Sequence, residues 1–111
     1  MSSQQTYLHV VEADAIDEGD IHRFEVDENP RILTRVDGTL RALDGMCTHE
    51  EEELADGEVE DNVVWCPLHG SGFRVDTGAA TNLPAVTPVS VYDVQVVDNI
   101  VYVSFDPVEP A

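Results

Sequence analysis

Cys47-Thr48-His49 and, after sixteen intervening residues, Cys66-Pro67-Leu68-His69-Gly70 set the strongest constraint on how this chain folds. The 111 residues contain no other cysteine. Each cysteine has a histidine two or three positions on, and both segments are rich in the small and rigid residues that shape loops. Two loops must therefore meet to form a site of two thiolates and two imidazoles. Soft thiolates with borderline imidazoles suit zinc, copper or an iron-sulfur centre rather than magnesium or calcium. Structural zinc sites usually pair like with like along the chain, whereas each arm here offers one Cys and one His. That cross-pairing suits two metals side by side, each arm sending its Cys to one and its His to the other. A mononuclear zinc site is the alternative. A disulfide between Cys47 and Cys66 is the plain reading of two cysteines in a small domain, but it leaves the adjacent histidines unexplained.

The pattern Cys-x-His, sixteen residues, Cys-x-x-His resembles the Rieske 2Fe-2S signature, with the spacing of the soluble ferredoxins. The resemblance extends to Gly72-Phe73, to Gly78, to Leu83-Pro84 of a third covering loop and to the strand-rich ends, so that it spans almost the whole chain. In pattern the chain is most similar to the small Rieske ferredoxins of bacterial aromatic ring-hydroxylating dioxygenases, such as the biphenyl, naphthalene and carbazole systems. The resemblance implies one 2Fe-2S cluster, with Cys47 and Cys66 on an inner iron and His49 and His69 on an outer, more exposed iron. It also implies a one-electron carrier between a flavin reductase using reduced nicotinamide and the Rieske centre of a terminal oxygenase. The transferring edge would be His49 and His69, and Glu50 to Glu53 would form a docking rim.

Catalysis by the chain alone is not expected. An oxygenase iron needs open positions, usually two further histidines and a carboxylate, plus a substrate pocket. The remaining histidines do not offer this: His9 lies in an alternating apolar stretch and His22 follows an acidic run, and both read as surface or packing residues. The alternative assignment is a small Rieske subunit or regulatory module of another redox complex, of the nitrite reductase small-subunit type. Members of that group often lack some ligands, and all four are present here. A zinc-stabilised interaction module would be colourless.

The ligand set bears on the potential. Two ferric ions, two sulfides, two thiolates and two neutral imidazoles sum to zero, and reduction makes the centre only −1. An all-thiolate centre would run from −2 to −3, so histidine ligation eases reduction and raises the potential above plant-type ferredoxins. Titration of the distal ring nitrogens makes that potential pH-dependent. A carboxylate at ~10 Å in water contributes about 0.4 kcal/mol, near ~18 mV, so the acidic surface shifts the value without setting its range. The resemblance implies that Ser71 offers a hydrogen bond to a cluster sulfur. Phe73 stands where high-potential respiratory relatives carry a tyrosine, and Glu52 and Leu68 occupy the positions of their two extra, disulfide-forming cysteines. The resemblance thus implies the low-potential branch. Its metal loops would be held by backbone hydrogen bonds, Pro67, the Leu83-Pro84 cap and the cluster itself.

Length and charge bound the rest. At 111 residues the chain is one domain with a core of its own. Asp and Glu total 23 against five Arg and no Lys, a formal net charge of −18. Such a surface repels nucleic acid and anionic lipid and steers a basic partner. It equally suits adaptation to high salt. A halophilic chain should lose its fold in low salt, whereas a docking surface should lose association rate in high salt. With no apolar stretch long enough to span a bilayer and no basic or apolar leader at the start, a cytoplasmic monomer is expected.

Along the chain, alternation predicts strands over Thr6 to Val11 and Ile21 to Val26, the latter ended by Asn29-Pro30. Arg31 to Val36 and Thr39 to Leu43 flank Asp37-Gly38, a tight-hairpin signal. Leu54 to Glu60 reads as an acidic stretch turning at Gly57. Asn62 to Trp65 reads as an apolar run delivering Cys66, with Trp65 in the core. Gly72 to Val75 forms a returning strand, and Val89 to Val97 pairs with Ile100 to Phe105 across Asp98-Asn99. No window combines a 3.6-residue period with caps. The expected fold class is all-β, and the resemblance implies a Rieske iron-sulfur fold with an antiparallel, sandwich-like base (1–43 and 85–111) and an inserted cluster-binding subdomain (44–84). The tail from Asp106 to Ala111 is expected to be loose.

Overall fold

The computed structural model describes residues 6–48, 52–67, 70–82 and 87–108. Among them are nine strands, two short 3₁₀ turns (Ala13–Ala15 and Leu54–Asp56) and no α-helix. β1 (Tyr7–Glu12), β2 (Ile21–Val26), β3 (Asn29–Val36), β4 (Thr39–Asp44), β8 (Val91–Val97) and β9 (Ile100–Pro107) form a six-stranded sheet in the order β1-β9-β8-β4-β3-β2. β5 (Glu58–Glu60), β6 (Val63–Trp65) and β7 (Gly72–Arg74) form a second, three-stranded sheet. All strand pairings are antiparallel. The expected all-β class holds.

Two-residue turns fix the registers. Asp37 (φ 53°) and Gly38 (φ 77°) join β3 to β4, and Asp98 (φ 52°) and Asn99 (φ 67°) join β8 to β9, as the sequence indicates. Both turns have the positive angles whose twist matches the flanking strands. One expectation is overturned. Asn29-Pro30 does not end β2 but begins β3, with Val26 paired to Asn29 and Glu25 to Pro30. The turn is Asp27-Glu28, both in the left-handed region (φ 52° and 71°), where no glycine announces it. The acidic stretch after Gly57 likewise contains a strand: in Glu58-Val59-Glu60 only the central residue turns inward, too short a pattern to read from sequence.

The alternating faces of β3 divide the interior. Ile32 and its partner Leu43 face one core, shared with Leu54, Val64, Phe73, Val75, Val89 and the two cysteines. Leu33 and its partner Ala42 face a second core with Ile16, Val101 and Val103. Arg31 and Arg35 lie on the Leu33 face by the same period of two. Arg35 donates to the carbonyls of Ile16 and Ala13. Arg31, only 7% exposed, donates to Ser104 O (2.7 Å) and Phe105 O (2.6 Å), and its guanidinium lies 3.5 Å above the Tyr92 ring. Tyr92 in turn donates to Asp44 at 2.6 Å, and burial together with that carboxylate pushes its phenol up to about 12. This network closes the base at the end from which the first cysteine loop departs. Arg31→Ala strips two carbonyls of their donors and removes the stack, so it is expected to cost roughly 2–4 kcal/mol in urea unfolding. Arg31→Lys, which keeps the charge but not the fork, should recover less than half of that. A loss below about 0.5 kcal/mol would show that water replaces the guanidinium at no cost.

Candidate metal centre

Each cysteine is set by a strand end and a tight loop. After β4, Gly45 N–H donates to Pro30 O (2.9 Å) so closely that a Cβ at Gly45 would lie 3.0 Å from the Pro30 carbonyl carbon. The loop then folds back on itself. Cys47 N–H donates to Glu52 O (2.9 Å), Leu54 N–H donates to Gly45 O (2.7 Å), and Met46 bridges Glu53. Leu54, fully buried, anchors the return. Arg23 on β2 grips Glu53 through Nε and Nη2 and pairs with Glu25 through Nη1 at 2.8 Å. This contact holds the Glu53 carboxyl below its ordinary range, so its contribution is present above that range and fades on acidification.

The second loop leaves β6. Cys66 N–H donates to Ser71 O (2.7 Å), and Gly70 N–H, at φ 72°, donates to Cys66 O (3.1 Å), closing a turn around positions 66–71. Gly72 then passes so near Trp65 that a Cβ would sit 2.8 Å from its ring. Trp65 is half-buried and packs there, in keeping with a core role. A third segment covers both loops. Gly78 (φ 81°) admits no side chain, since a Cβ would lie 2.0 Å from Val89 O. Thr48 Oγ1 donates to Thr87 O (2.6 Å), and Asn82 brackets the second loop, accepting from Gly72 N–H (2.9 Å) and donating to Gly70 O (3.1 Å).

The fold brings Cys47 (4% exposed) and Cys66 (2%) into one buried core, and no disulfide joins them. His49 and His69, with Glu50, Glu51, Leu68, Leu83 and Pro84, lie outside the described residues. Thr48, Pro67 and Gly70, next to the cysteines or histidines, are exposed, so each loop runs from core to surface within a residue or two. Ser71, 1% exposed, has a hydroxyl with no hydrogen-bond partner among the described residues. Two buried thiols, with an unpartnered buried hydroxyl on the loop that carries Cys66, suit a group rich in acceptor sulfur better than a closed apolar core. His9 lies exposed on β1 with its ring tilted against Tyr102, and His22 lies on β2, in keeping with packing roles.

The loop fastenings were not legible in the sequence. Arg23 and Glu53 are thirty positions apart, and Thr48 and Thr87 thirty-nine, so no local spacing pairs them. Glu53, assigned by sequence to a docking rim, is also paired with Arg23 across the surface.

The profile of the Rieske [2Fe-2S] domain matches residues 6–93. Ferredoxin CarAc of Metapseudomonas resinovorans is 34% identical over 101 residues, covering 90% of this chain and 94% of that protein. The biphenyl 2,3-dioxygenase ferredoxin component of Rhodococcus jostii RHA1 is 38% identical over 77 residues, 69% of this chain and 72% of its own. Among solved structures, a chain from the complex of reduced oxygenase and oxidized ferredoxin in carbazole 1,9a-dioxygenase superposes with a TM-score of 0.89 at 32% identity, over 96% of this chain and 99% of that one. Extent, identity and fold agree: the chain belongs to the Rieske [2Fe-2S] family, alongside the ferredoxin components of aromatic ring-hydroxylating dioxygenases.

Proposed function

We propose that this chain is a one-electron carrier, taking electrons from a reductase that uses reduced nicotinamide and delivering them to the terminal oxygenase of an aromatic ring-hydroxylating system. Residues 44–84 act as the cluster-binding part, in a cytoplasmic monomer. Cys47 and Cys66 hold the inner iron, and His49 and His69 the outer. When bound, the cluster supplies reversible uptake of a single electron at a centre whose charge changes only from zero to −1. The observation that carries the reading is the placement of the two thiols: buried in the core, yet one or two residues from exposed loop backbone. The thiols are shielded from water, while Thr48, Pro67 and Gly70 are exposed.

The chain's own residues divide the work of docking. Residues 77–90 carry no charge in a molecule of net charge −18, and between Asp61 and Arg74 the sole titratable side chains are Cys66 and His69. These stretches would offer a partner an uncharged face, with Glu50, Glu51 and Glu52 next to the first cysteine loop in sequence. Charge at the edge of such a face acts on encounter more than on the formed complex. Glu50→Gln, Glu51→Gln and Glu52→Gln together are expected to slow stopped-flow association with a ring-hydroxylating oxygenase about three- to tenfold at ~20 mM salt, the difference vanishing near ~0.5 M. Equal rates at low salt would make the run a merely solvated surface. A wild-type protein that unfolds at low salt would instead assign the acidity to halophilic adaptation.

A further inference from the structure

The third segment does more than cover the second cysteine loop. Asn82 Oδ1 accepts from Gly72 N–H (2.9 Å) and from its neighbour Thr81 Oγ1 (2.9 Å), which fixes the amide so that Nδ2 faces Gly70 O at 3.1 Å. Thr81 N–H adds a backbone bond to Gly72 O (2.8 Å). One planar amide, with its donor and acceptor side by side, therefore ties the carbonyl of residue 70 to the N–H of residue 72. Among side chains of this size only Asn offers both groups at once; Asp has no donor, and Ser or Thr cannot span both. Between the two tied residues sits Ser71, whose buried hydroxyl lacks a partner among the described residues. Rotation of the 70–71 and 71–72 peptides would swing that hydroxyl, and the bracket opposes this rotation.

We propose that Asn82 is a positioning residue that sets the direction of the Ser71 hydroxyl, and through it the reduction potential, by clamping the peptides on either side. This rests on the reading of the site as a Rieske centre, toward which Ser71 Oγ donates. A hydroxyl aimed at a cluster sulfur stabilises the more negative, reduced state, and one free to turn away stabilises it less.

The test uses the cluster-loaded protein and two readouts. In hydrogen-exchange mass spectrometry, Asn82→Ala should speed exchange at the Gly72 amide about tenfold, the loss of one net hydrogen bond. Asn82→Asp, which keeps the acceptor for Gly72 but not the donor to Gly70, should restore most of the protection there. In redox titration, Asn82→Ala should lower the potential by less than Ser71→Ala does, and should add nothing in the Ser71→Ala background. Unchanged exchange at Gly72 would overturn the clamp. Shifts that simply add in the double variant would overturn its action through Ser71. A wild-type sample with no Rieske spectrum would refute the site reading instead, and the exchange measurement would still decide the clamp.

Discussion

Replacing His69 with alanine is expected to abolish the Rieske optical and electron-spin signatures of the purified protein, leaving less than about one-tenth of the wild-type amplitude. Two nitrogen donors on one iron distinguish this centre from an all-thiolate one, and no spare histidine stands by to substitute. Of the four histidines, His9 is exposed on β1 against Tyr102 and His22 is on β2, both in the six-stranded sheet. His9→Ala and His22→Ala should therefore leave the spectrum intact, which makes them the matched controls. Water in place of the imidazole keeps the formal charge but puts an oxygen donor where the nitrogen was, which changes the g-values. An unchanged spectrum in His69→Ala would remove that residue from the ligand set, and a colourless wild-type protein carrying one zinc would remove the cluster.

Stripping the iron is expected to open the region from 44 to 84 while the base persists. The three strands of the small sheet have three residues each, far below what holds a sheet together in water alone. Its core contribution is Leu54, Val64, Phe73 and Val75, gathered around Cys47 and Cys66. No disulfide links the loops, so without metal the chain there rests on hydrogen bonds such as Cys47 N–H to Glu52 O and the Thr48 and Asn82 fastenings. Metal binding is then folding energy for this part of the chain. Amide exchange over 44–84 should accelerate by about 10³-fold or more in apoprotein, against little change in β3, β4 and β9, whose own core of Leu33, Ala42, Val101 and Val103 does not involve the cysteines. Identical exchange with and without iron would show that the loops are self-supporting.

The two kinds of fastening explain why parts of this molecule were legible and others were not. Asp37-Gly38 and Asp98-Asn99 declare their turns because the chemistry that permits positive φ is carried by the residues themselves. Asp27-Glu28 makes the same kind of turn without a glycine, and the neighbouring Asn29-Pro30 draws attention away from it. Here pairing across β2 and β3 outweighs local preference. Arg31 was hidden for a related reason. A charged residue two positions from a buried leucine on one strand face can be expected to find partners, but Ser104 and Phe105 lie over seventy residues on.

The sequence by itself determined the all-β class and the family, because the spacing of cysteine and histidine that marks the family is chemistry written in order along the chain. It also determined the excess of acid. Only the tertiary structure showed that Arg23 pairs with Glu53. Only the tertiary structure placed the Thr48 and Asn82 side chains across the cysteine loops. The physical reason is range: a turn or a ligand motif is fixed by residues a few bonds apart, whereas a clamp joins groups that become neighbours only after the sheets have packed.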